Sequence, residues 1–219
     1  MVALREPLIR NVAGFVDGCS IKIQCTSETA IQNAYYDGFV CDTTVNNVFL
    51  FSPEGKIVHA AYNFPGSWHD SAVAFDLIET VLRMGDQGLD YAFCVDQGFP
   101  RMGRLQCRFV GPYSKQFLRQ LDAEIRELLL VRIQRYISLG QSAEWGMRGL
   151  QGSFTRLKSR LTSNSRMQKL IFETILLNNN FRTTYVGFNQ IATVFNPHYD
   201  QYINLDGYVR IARYFINDI

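Results

Sequence analysis

Residues 39–51 (FVCDTTVNNVFLF) and 57–62 (IVHAAY) are two runs rich in β-branched and aromatic side chains, separated by Ser52-Pro53-Glu54-Gly55-Lys56. Pro and Gly stand where a turn wants them, so this stretch is a β-hairpin, and a sheet must be built around it. Residues 12–23 (VAGFVDGCSIKI) alternate apolar with small or polar residues around Asp17-Gly18. That pattern predicts another strand, turning or bulging near Gly18. Residues 91–95 (YAFCV) form a short continuous apolar run, the mark of a buried central strand. Asp96 ends it, and Gly98 and Pro100 prevent its continuation.

Residues 24–37 are polar and read as a loop. After Pro65-Gly66, with Ser67, Asp70 or Ser71 as the cap, Val73, Leu77, Ile78, Val81 and Leu82 predict a helix running to about Arg83. Further helices are predicted over 119–139, 142–160 and 166–180, with Gly140 a weak point between the first two. From about Arg182 the periodicity fades. Three strands, a helix, one more strand and then helices give an α/β chain with a mixed sheet, helices on both faces and a helical C-terminal half. The expected division is a domain over 1–195 and an irregular tail over 196–219.

Composition narrows the class. The chain has 219 residues, 47% hydrophobic and 19% charged, enough for one domain with a real core. No apolar run approaches the ~20 residues that a bilayer requires, and MVALREPLIRNVAG is not a secretory leader, so an intracellular protein is expected. Cys19, Cys25, Cys41, Cys94 and Cys107 are widely and irregularly spaced, which predicts free and mostly buried thiols. His59, His69 and His198 lack zinc-ligand spacing. Charge is polarised along the chain. Residues 1–99 carry a balance of −7, residues 100–170 of +10 and residues 171–219 of −1. An acidic part suits cations and a basic part suits a polyanion, although solvated faces alone explain such a split equally well.

Four acids stand out against that background. Asp17 interrupts an apolar strand, Asp96 ends one, Asp70 lies at a helix start and Glu144 in the first turn of the predicted 142–160 helix. Singly, each has an ordinary explanation: a turn former, an N-cap, a complement to the helix dipole. As a set they suggest more. Converging carboxylates repel one another, a divalent cation removes that penalty, and oxygen-only donors suit Mg²⁺ or Mn²⁺. Such sites support phosphodiester cleavage. GxSxG and P-loop motifs are absent.

Four segments also match a known pattern. They are Phe15-Val16-Asp17-Gly18, Pro65-Gly66-Ser67-Trp68-His69-Asp70-Ser71, Val95-Asp96-Gln97-Gly98-Phe99-Pro100, and Ala143-Glu144-Trp145-Gly146-Met147-Arg148 followed by Phe154-Thr155-Arg156-Leu157-Lys158. Over about residues 12–195 the chain resembles the PIF/Harbinger transposases and the nucleases derived from them, in the DDE superfamily. Gln97 and Phe99 stand where that family commonly has Ser and Tyr. Only 16 residues precede Asp17, where the family places a helical DNA-binding region, so a chain without that region is expected.

The resemblance implies an RNase H-like fold and a metal-dependent DNA endonuclease or transposase domain. Asp17, Asp96 and Glu144 would form the catalytic triad and bind Mg²⁺ or Mn²⁺. Asp70 would be a further metal ligand, or a group just behind the ligands. It also implies DNA as substrate, a Myb-like DNA-binding partner, a homo-oligomer and a nuclear or cytoplasmic location. On that reading the basic part faces phosphates through Arg101, Arg104, Arg108, Lys115, Arg156, Lys158 and Arg160. Arg148, four residues after Glu144, either pairs with it or touches the scissile phosphate. Two rivals stay open: a catalytically silent DNA-binding or assembly protein of the same ancestry, and a metal-free two-carboxylate glycosidase.

Overall fold

The computed structural model describes residues 1–195 except 8, 10 and 188; the expected 196–219 tail and His198 lie outside the described residues. In chain order the elements are α1 (Val2–Arg5), β1 (Val12–Lys22), α2 (Thr29–Tyr35), β2 (Tyr36–Asp37), β3 (Asp42–Phe51), β4 (Ile57–Pro65), α3 (Asp70–Val73), α4 (Phe75–Asp86), β5 (Ala92–Cys94), β6 (Phe109–Val110), α5 (Lys115–Arg119), α6 (Ala123–Ser153), α7 (Ser165–Val186) and α8 (Gln190–Phe195). Short 3₁₀ turns occupy Gly103–Leu105 and Thr155–Lys158.

The main sheet runs β4-β3-β1-β5-β6, with β2 also paired to β3. β1/β3 and β3/β4 are antiparallel, while β1/β5 and β5/β6 are parallel. This mixed sheet, flanked by helices and followed by a helical C-terminal half, has the arrangement of an α/β RNase H-like fold. Strand alternation sorts the core into two layers. Phe15, Ile21, Val45, Phe49 and Phe51 pack with Leu139, Ala143 and Leu150 of α6, Phe172 of α7 and Phe195 of α8. Val16, Val48, Leu50 and Phe93 pack on the other face with Val73 of α3 and Leu77, Val81 and Met84 of α4.

The hairpin forms as expected. The Ser52 amide donates to the Lys56 carbonyl at 2.8 Å, and Gly55 takes the φ of +79° that its turn demands. Several expectations are corrected. Gly18 does not bulge: it pairs in regular register with Val48, and the irregularity of β1 falls between Val12 and Gly14, in its pairing with β5. The 24–37 loop contains α2 and β2; α2 buries no residue, so it has no apolar stripe to read. The helix expected after Pro65-Gly66 and running to about Arg83 is broken at Ala74 into α3 and α4, and its cap is His69 rather than Ser67, Asp70 or Ser71. Helix α6 runs unbroken through Gly140 for 31 residues and ends at Ser153, short of the expected 160. A single Gly weakens a helix by only about 1 kcal/mol, and Leu139, Ser142 and Ala143 are buried on either side of it. The two-residue β6 escapes any periodicity argument. All five cysteines are free as expected, but only Cys94 is buried, and Cys25, Cys41 and Cys107 are exposed.

Candidate active site

β1 and β5 lie side by side and point the same way, with Phe15 opposite Cys94. Asp17 and Asp96 each follow two residues later, one on β1 and one just past the end of β5. The Gly18 amide donates to Asp17 Oδ1 at 2.9 Å, and the Gly98 amide donates to Asp96 Oδ1 at 2.8 Å. Asp17 is partly buried and pairs with Phe49. Burial pushes its carboxyl up to about 7; the charges of Asp96, Asp70 and Glu144 add to the rise, and the Gly18 amide opposes it. The other three acids singled out in the sequence therefore all act on the Asp17 carboxyl.

Asp70 arrives from the far side of β1. Gly18 pairs with Val48, on the face that α3 and α4 cover, whereas Asp17 shares the face of Phe49 and α6. A Cβ on Gly18 would lie no more than 2.6 Å from the Asp70 Oδ1, Oδ2 and Cγ atoms, so the missing side chain is what admits this carboxylate. Burial and the neighbouring Asp96 raise the Asp70 carboxyl, with His69 opposing. Asp70 is not the helix cap. That task falls to His69, whose Nδ1 accepts from the Ser71 amide at 3.3 Å.

The turn before α3 is held by a residue the sequence reading passed over. Buried Asn46 on β3 donates from Nδ2 to the Gly66 carbonyl at 3.1 Å and the Trp68 carbonyl at 2.8 Å, while its Oδ1 accepts from Ser20 at 2.6 Å. Next to it, fully buried Asn47 donates to the Cys19 carbonyl at 2.9 Å and accepts from the Asn63 amide at 2.9 Å. It joins β1 to the bulged part of β4, where Asn63 has φ +68°. Two amides in the middle of an apolar strand were the available signal, since buried polar side chains must find partners.

Glu144 lies well inside α6, so the helix-dipole explanation offered for it does not apply. The helix can sit flat on the sheet because a Cβ at Gly146 would come within 2.8 Å of the Phe51 ring. Glu144 itself is solvent-facing and pairs with Arg148 at 3.5 Å. Among the described residues, no three His, Cys, Asp or Glu side chains are already gathered around a single metal position. The donor chemistry nevertheless fits a hard divalent cation: every donor is carboxylate oxygen, and ionised Asp17 is disfavoured until positive charge offsets its surroundings.

The basic residues do not form one set. Arg104 pairs with Asp86 and Arg108 with Asp90, the latter also donating to the Tyr91 carbonyl at 3.3 Å. Arg160 makes a two-pronged bond to Asp42 at 2.8 and 2.9 Å. It also donates to the Ile23 carbonyl, and so holds the 3₁₀ turn region to β3. Arg101 stacks over the Tyr113 ring, Arg156 donates to Ser159 Oγ at 2.8 Å, and Lys115 and Lys158 are exposed.

No curated protein and no solved structure matches the chain. A family profile described as DDE superfamily endonuclease matches residues 16–179, a span that opens one residue before Asp17 and takes in Asp70, Asp96 and Glu144. With that match covering most of its length, the chain belongs to the DDE superfamily endonuclease family.

Proposed function

We propose that this chain is the catalytic domain of a transposase-type DNA endonuclease, cleaving phosphodiester bonds with divalent cations. The observation that carries the reading is the placement of Asp17 on β1 and of Asp96 just past the end of its parallel neighbour β5, with Asp96, Asp70 and Glu144 all near enough to raise the Asp17 carboxyl. Asp17, Asp96 and Glu144 would hold the cation, and Asp70 would serve as a further ligand or as a support for them. A bound Mg²⁺ or Mn²⁺ supplies charge stabilisation at the reacting phosphate and an activated water. The protein's own contribution is placement. β1 and β5 fix two carboxylates, Asn46 fixes the turn that presents Asp70, and α6 brings Glu144 over the sheet.

The PIF/Harbinger assignment, a Myb-like partner, a homo-oligomeric form and a nuclear location are proposed on the motif resemblance. Phosphate contacts are proposed for Lys115, Lys158, Arg101, Arg156 and Arg148. Arg104 fits that role less well, because it is paired with Asp86. Incision of supercoiled plasmid by the purified chain in Mn²⁺, compared with the same reaction in EDTA, tests the proposal. Nicking in Mn²⁺ alone supports it. No nicking in either, from a folded chain that binds DNA, favours the silent rival.

A further inference from the structure

A cleft between the C-terminal halves of α6 and α7 has polar groups that the fold leaves unused. Its volume is about 580 Å³, and it is lined by Phe51 and by Trp145, the residue that follows Glu144. Gly146, Gly149 and Gly152 of α6 form one wall, and Asn179, Arg182 and Thr183 of α7 form another. Asn179 and Thr183 are only 8% and 7% exposed, yet neither side chain makes a hydrogen bond among the described residues. Their neighbours all have partners. Asn178 donates to the Thr174 carbonyl at 2.7 Å, Asn180 exchanges two bonds with Ile57, and Thr184 donates to the Asn180 carbonyl at 2.8 Å. Buried polar groups without partners are rare, and these two face a cleft rather than the core. The glycines add a second anomaly, because glycine weakens a helix interior. The Phe51 ring explains Gly146, but a Cβ on Gly149 or Gly152 would meet nothing within 4 Å. Bare helix backbone therefore borders the cleft with no packing reason.

The lining selects the ligand. No acidic side chain is among its described residues. The Asn179 amide offers a donor and an acceptor side by side, the pattern that reads a base edge. Trp145 and Phe154, both half-buried, add aromatic surface. Arg182 donates to Ser153 Oγ and is paired with no acid among the described residues, so its charge is open to a phosphate. These are the parts of a site for single-stranded nucleic acid. An adjoining hollow of about 470 Å³ shares Ser153 and Phe154 and has Arg156 on its wall, so the path continues past one nucleotide. A duplex keeps its bases paired and stacked and cannot deliver one to Asn179, whereas an unpaired strand can.

We propose that this cleft binds an unpaired DNA strand, with a base against Asn179 and Thr183 and a phosphate on Arg182. The choice of DNA rests on the endonuclease reading, but cleavage does not enter. Fluorescence anisotropy of the whole chain in EDTA tests it, with a labelled single strand of about 12 nucleotides and the blunt duplex of the same sequence. The parent should bind the strand. Asn179→Leu and Gly149→Leu should each weaken the strand at least about 5-fold and change duplex binding by less than about 2-fold. Both should melt at or above the parent's temperature, since one removes an unpartnered buried amide and the other replaces a helical glycine. Arg182→Gln, at an exposed position, should weaken the strand in the same way without touching the core. Failure of the endonuclease reading shows separately, as a chain that binds the strand by these rules and does not nick in Mn²⁺. A parent that leaves the strand unbound up to roughly 100 µM overturns the proposal. So do variants that bind the strand like the parent, or that lose strand and duplex alike. Deoxyadenosine monophosphate bound as tightly as the strand also overturns it, by making the ligand a free nucleotide.

Discussion

Asp17 and Asp96 each follow two residues after the matched pair Phe15 and Cys94 of the parallel strands β1 and β5, Asp17 still on β1 and Asp96 just past the end of β5. Neither position is explained by the core. Asp17 sits in a strand whose other inward residues on that face are apolar, and its carboxyl is pushed up to about 7. Metal-free protein therefore carries a penalty at this residue, and the penalty has a testable sign.

The native Asp17 carboxyl holds its proton to about pH 7, whereas in the unfolded chain it is lost near 3.8. Between those values the folded state binds the extra proton, so stability falls as pH rises from about 4 to 7 and stays lower above. Asp17→Asn removes the penalty. At pH 8 without metal it should gain on the order of 1–2 kcal/mol after solvent screening, or roughly 3–6 °C in melting temperature. The parent should gain stability from Mn²⁺, and the variant should lose most of that gain. Thermal melts at pH 5 and pH 8, with and without Mn²⁺, check this. A variant less stable than the parent at pH 8 contradicts it.

Gly18→Ala puts a methyl group where the Asp70 carboxylate now lies. Either the strand or Asp70 must move, at a cost of about 1–3 kcal/mol. Adding Asp70→Ala in the same chain should recover much of that stability, a coupling that urea unfolding of the two single variants and the double variant measures directly. Additive effects would mean that Asp70 does not rest on Gly18.

Asn46→Ala removes both donors that hold the Gly66 and Trp68 carbonyls. Loss of a buried amide with satisfied partners should destabilise by about 1–3 kcal/mol. Because the same bonds set the start of α3, plasmid nicking should fall more than the loss of stability explains. Nicking assayed well below the melting temperature separates the two effects, and unchanged nicking would leave Asn46 with a purely structural role.

What could be read from sequence follows a physical line. Segments with strong periodicity, the 39–62 hairpin and the 91–95 strand, come out close to where they lie, since the burial that selects their residues is the burial that folds them. Helix α2 and strand β6 do not: one buries nothing and the other is two residues long. Gly140 misled because intrinsic preference is a weak force beside the packing of α6 on the sheet. The acids were legible as anomalies, yet their arrangement was not. That Gly18 exists to admit Asp70, and that Asn46 and Asn47 hold the surrounding turns, depends on cross-strand neighbours 20 or more residues away in most cases. Likewise Arg104, Arg108 and Arg160 look like free cations in a list of residues, and only the fold reveals their acidic partners.

Nicking of supercoiled plasmid in Mn²⁺ by the parent and by Asp96→Asn tests the central claim most directly. Asp96 is exposed, and its change to an isosteric amide should leave the melting temperature within a degree or two. The account predicts that the parent nicks and that the folded variant is slower by at least roughly 100-fold. A folded Asp96→Asn chain that nicks as fast as the parent would contradict it.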